Sequence, residues 1–181
     1  MVDRSISGGL VAVHTDRANV LGMLSGATPG VIAATGDYAA NDVVSNAVTD
    51  GQGVAWVFDN VVRGNGLGGW ILGAVLTCSV DAMVPRLRLW LFNDTPASSE
   101  LDDNSAFSLA AADRVKIVGY IDFNALGDAG AISVSVRDDL RLPFKCAASG
   151  AALYGVLQTL DAFTNESAGM TVTISLHAVS D

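Results

Sequence analysis

The chain has 181 residues, half of them hydrophobic and 16% charged, with a formal net charge of −9 from 19 acidic and 10 basic side chains. That length suits one domain with a core of its own, without metal or disulfide staples, and so few charges exclude a disordered polymer. The basic side chains form no run, so phosphate binding, which needs clustered cations, is not expected.

In chain order, Met1–Leu10 lacks the continuous apolar core of a secretory signal. Ser7-Gly8-Gly9, Gly26, Pro29-Gly30 and Gly36 then break the leader into pieces too short for a stable helix. Residues 1–36 are therefore assigned as an N-terminal arm: a hairpin or surface loop, or an extended segment that orders against a neighbouring subunit. Residues 37–181 are assigned as a β domain. Its first strand signals are a weak one at Tyr38–Ser45 and a denser one at Val54–Phe58.

Arg63-Gly64-Asn65-Gly66-Leu67-Gly68-Gly69 contains a Gly-x-Gly-x-x-Gly string, which serves a dinucleotide only between a strand and a helix. Here Trp70–Leu76 follows and reads as a buried strand, so a hairpin turn is expected instead. The strand continues to Val80; its glycines, with Thr77-Cys78-Ser79, keep it short of the roughly 20 apolar residues of a membrane helix. In Pro85–Phe92, Arg86, Arg88 and Trp90 alternate with Leu87, Leu89 and Leu91, and Asn93-Asp94-Thr95-Pro96 stops the strand. Ser105–Asp113 carries the one helix signal, a capping Asn104 or Ser105 before an alanine-rich run. Val115–Ile121, Ile132–Val136 and Leu153–Leu160 are further strands. Thr171–Val179 is the clearest, with Val172, Ile174, Leu176 and Ala178 on one face. This pattern predicts a mainly β chain: an antiparallel β-sandwich or jelly roll with a short helix at about residues 105–113.

Catalytic signals are weak. His14 and His177 stand in no nucleophile motif. Asp102-Asp103, Asp113 and Asp138-Asp139 have neither a glycosidase pair's nor a calcium loop's spacing, so loop solvation and helix N-terminal charge are their expected roles. Cys78 and Cys146 sit in apolar surroundings and read as buried free thiols, with a disulfide as the alternative that a reducing compartment disfavours, and two cysteines without supporting histidines make no zinc site. No cofactor, metal or enzymatic activity is expected. Among the aromatics Trp90 is the favoured interface anchor, because it shares a face with Arg86 and Arg88.

Tyr38–Asn46, Leu87–Pro96, Asp103–Phe107, Gly119–Phe123, Leu142–Phe144 and Ala152–Gly155 resemble, in that order, a family of small proteins encoded beside the major capsid protein of tailed bacteriophages. The resemblance spans roughly residues 38 to 178. It implies a head decoration, or cement, protein: a β-sandwich made in the bacterial cytoplasm, carried on the virion's exterior and joining neighbouring capsomers. Its implied partners are the major capsid protein and further copies of itself, as a homodimer or homotrimer, with neither nucleic acid nor membrane. Trp90, Arg86 and Arg88, with His14 and Arg17 of the leader, are the candidate interface residues. A jelly-roll carbohydrate-binding module, using Trp90 or Trp56 with Asp59, is the alternative.

Overall fold

The computed structural model describes residues 17–22, 30–32, 36–47, 51, 53–81, 83–165 and 170–180. In chain order the strands begin with β1 (Arg17–Gly22), β2 (Gly30–Val31), β3 (Gly36–Tyr38), β4 (Val43–Val44) and β5 (Trp56–Phe58). The long β6 (Gly68–Cys78) follows, then β7 (Leu87–Phe92), β8 (Ile117–Phe123), β9 (Gly127–Asp128) and β10 (Ser133–Arg137). The last are β11 (Leu142–Lys145), β12 (Leu153–Thr159), β13 (Phe163–Asn165) and β14 (Thr171–Ser180).

Among the described residues these strands form a large seven-stranded sheet and a small five-stranded one, with β3 and β13 as a separate pair. Every pairing is antiparallel. In the large sheet β14 and β6 are central; β10 and β11 flank β6, while β1 and β2 flank β14. In the small sheet the order is β4-β12-β7-β8, and β5 shares β12's edge with β4. Two stretches of the expected arm, β1 and β2, thus belong to the large sheet.

One apolar core takes side chains from both sheets. Leu76, Val172, Ile174 and Leu176 come from the large sheet; Phe58, Leu87, Leu89, Leu91 and Leu157 come from the small one. The period-two pattern read at Thr171–Val179 and at Leu87–Leu91 is what turns these residues inward, since successive strand side chains point to opposite faces. Glycine is required where backbones meet closely: a Cβ on Gly69 would strike the Val179 carbonyl of the neighbouring strand.

The helix expected at 105–113 is absent. Asn104 takes a left-handed φ of 59°, and the chain then runs extended beside residues 41–43. Ser105 O accepts from Val43 N at 2.9 Å, and Phe107 N donates to Asn41 O at 2.8 Å. Phe107 and Leu109 turn inward while Ala106 and Ser108 stay exposed. The alanine run favours a helix only weakly, and about two isolated turns are marginal in water. Burying Phe107 and Leu109 with period two prevails. A single 3-10 turn at Arg114–Lys116 is what remains. The glycine-rich 59–67 loop is likewise no hairpin turn: it carries the chain from β5 in the small sheet to β6 in the large one.

Candidate docking surfaces

Three strands of the small sheet set the outer-face side chains in rungs. Gln158, Arg88 and Asp122 are opposite one another across β12, β7 and β8, and Val156, Trp90 and Tyr120 form the next rung. The Arg88 guanidinium grips Asp122 with two hydrogen bonds, Nε to Oδ1 at 2.6 Å and the second amino group to Oδ2 at 2.9 Å. That fork holds the guanidinium plane over the Tyr120 ring, 4.1 Å from its centroid, and 5.6 Å from that of Trp90. Trp90 donates its Nε1–H to Gln158 Oε1 at 2.8 Å, and its ring meets Tyr120 at 5.3 Å and Phe107 at 5.8 Å. Tyr120 is half exposed, so the cluster reaches the surface.

Beside it the same face is closed. Val43, Phe92 and Val156 are buried, with Leu101, Phe107 and Leu109 packed over them from the crossing 98–116 segment. Buried carboxylates latch the loops here. Asp113 accepts Ser98 N at 2.9 Å, Ser99 Oγ at 2.8 Å and Lys116 Nζ at 2.8 Å. Burial pushes its pKa up, but these donors outweigh burial and hold the carboxyl below its ordinary value. Asp102 accepts Gly51 N and Gly53 N, both at 2.7 Å, in a cleft of about 200 Å³. Its neighbour Asp103 accepts Ser45 N at 2.6 Å and Tyr38 Oη at 2.7 Å. These aspartates are structural staples rather than the solvated loop charges expected, because all their named donors except Lys116 come from residues 14 to 65 positions away.

Arg86 is joined to Asp161 through its backbone N–H and two guanidinium hydrogen bonds of 2.9 and 2.6 Å. The fork and the backbone donor lower the Asp161 pKa to about 2. Arg86, Arg88 and Trp90 therefore do come together at β7, each with an internal partner. His14 and the Arg17 side chain lie outside the described residues; the Arg17 backbone is in β1. Trp56 is buried in the core, and Asp59 is exposed, so that pair makes no stacking groove. Cys78 and Cys146 are buried free thiols, both pushed above the ordinary thiol pKa by burial. Among the described residues no group of three His, Cys, Asp or Glu side chains is placed to hold a metal.

Sequence reasoning missed the other outer face. On the large sheet Val134, Thr77 and Thr173 form one rung, and Val136, Val75 and Ser175 the next. Further along, Pro143, Trp70 and Val179 lie side by side. Trp70 is 45% exposed and Val136 48%. The signal was present as Thr and Ser alternating with the core residues of β14, but it gave no hint of what would stand beside them. Comparison with protein-family models, curated proteins and solved structures finds no match to this chain.

Proposed function

We propose that the chain is a non-enzymatic structural protein of a virion, with a β-sandwich or jelly-roll-like core, which binds the outside of a tailed-phage head and ties capsomer junctions. One coincidence of sequence and geometry supports this. The segments that resemble head decoration proteins are far apart in sequence, yet 38–46, 87–96, 103–107, 119–123 and 152–155 meet on the small sheet and the chain beside it. Leu142–Phe144 belongs to β11, and Leu142 packs at the Gly119 backbone of β8. The Arg88–Trp90–Tyr120 cluster on β7 and the edge strand β8 of that sheet has the residue types that dominate protein interfaces, prepositioned by Asp122 and Gln158. A shell under pressure from packed DNA needs its junctions held, and multivalent docking does so without chemistry.

Mixing the protein with expanded, decoration-free heads and pelleting the particles tests this. Saturable co-sedimentation at a fixed number per capsomer is expected, weakened about tenfold or more by Tyr120→Ala or Arg88→Ala. Absence of binding by the unmodified chain would remove the capsid from the proposal. A carbohydrate-binding module is the second reading, favoured by Trp90 and Tyr120 standing beside the Asp122 carboxylate and the Gln158 amide. Saturable glycan binding lost in Tyr120→Ala, with no binding to heads, would put it first.

A further inference from the structure

We propose that two copies of this chain associate through the outer face of the large sheet. The chain carries 19 carboxylates, yet none of the described outward positions of β6, β10, β11 and β14 holds one. Among the described residues, the acidic ones nearest to these strands in sequence, Asp81, Asp128, Asp138 and Asp139, stand in loops and at the sheet's edge. Two molecules of charge −9 repel one another over most of their surfaces, so close approach requires a face free of carboxylates. A cationic partner, by contrast, would find nothing here to pair with. What the face offers is Val136 and Trp70, both nearly half exposed, among Val75, Thr77 and Thr173, with Lys145 and His177 as its exposed basic side chains on β11 and β14.

The size also fits. β6 and β14 have 11 and 10 residues, so at about 3.4 Å per residue the face is roughly 35 Å long. β10 with β11 on one side and β1 with β2 on the other make it four strands wide, about 19 Å. The footprint is on the order of 650 Å² per copy and about 1,300 Å² in total, inside the range of stable specific interfaces. Two twisted sheets pack face to face at about 30°, so no rearrangement of either copy is required.

Sedimentation of the whole chain over a concentration series is the test, and it needs no capsid. A monomer–dimer equilibrium is expected, tightened by added salt, which screens the repulsion between copies. The double variant Val136→Asp, Thr173→Asp sets four carboxylates in the interface and should weaken association about 100-fold or more. Val115→Asp, at a position 80% exposed on the 3-10 turn, should leave it unchanged. Thermal unfolding checks that each variant folds. If the double variant does not, iodide quenching of the unmodified chain against Trp70→Phe reads the same face: Trp70 should become shielded as concentration rises. A chain that stays monomeric at every concentration, or a dimer that the folded double variant leaves intact, would overturn the proposal. A dimer that nevertheless ignores phage heads would count against the capsid reading alone.

Discussion

The two sheets share one core, but their outer faces are built on opposite terms. The small sheet's outer face is largely closed: the 98–116 segment covers Val43, Phe92 and Val156, and the charges on it are paired internally. The large sheet's outer face carries Val, Thr and Ser rungs with Trp70 and Val136 half open, and no carboxylate at a described outward position. A rigid polar cluster and an open surface without described carboxylates suit different tasks. The first positions a few strong groups; the second offers area. Stability should therefore depend steeply on residues of the closed face and hardly at all on those of the open one.

Asp113→Ala should have the largest effect. It leaves the Ser98 amide, the Ser99 hydroxyl and the half-buried Lys116 ammonium without their shared acceptor, a loss of about 3 kcal/mol. The urea midpoint reads the loss, and hydrogen exchange should show the 98–116 segment opening first. Val136→Thr on the open face, measured at a concentration where the chain is monomeric, should shift stability by no more than about 0.5 kcal/mol. Equal effects of the two would dissolve the contrast.

Trp90→Ala comes next. Removing a half-buried indole that touches Phe107 and Tyr120 should cost about 2 kcal/mol. Trp90→Phe keeps much of the ring contact and strands the Gln158 amide oxygen, for about 1 kcal/mol. The gap between the two, from equilibrium unfolding, separates packing from hydrogen bonding.

The parts legible in the sequence were those whose information is local. The Leu87-Leu89-Leu91 and Val172-Ile174-Leu176 alternations set both core faces, because period two follows from strand geometry alone. The short strands β2, β9 and β13 carry no such run and exist as strands through their neighbours. Pro143 masked β11, since proline is compatible with a strand only at an edge, and among the described residues β11 pairs only with β6. At 105–113 a local propensity pointed the wrong way, and contacts with residues 41–43 overrode it. Half of the candidate site was visible: Arg86, Arg88 and Trp90 fall on one face by counting. Asp122, Tyr120 and Gln158 were not, since the register of β7 against β8 and β12 joins these residues to partners 30 to 70 positions away. The open face was hidden for the same reason.

Acid should expose the smallest difference between the faces. Asp161 has a folded pKa of about 2, lowered from 3.8 by the Arg86 hydrogen bonds, and the Asp113 carboxyl is lowered too. A carboxylate whose pKa falls on folding binds its proton more readily when unfolded. Its contribution is therefore complete above about pH 4 and is lost as pH falls through the folded value. For Asp161 that window is about pH 4 to 2. Asp161→Asn should lower stability at neutral pH only slightly, since Arg86 and Asp161 form an exposed pair that solvent screens. It should flatten the acid limb of the stability curve by that same small amount, measured by urea unfolding at steps between pH 5 and 2. Arg86→Gln should flatten the same limb, because the shift belongs to the pair. A limb that keeps its slope in both variants would assign the acid sensitivity to the buried Asp113 latch, and with it to the closed face alone.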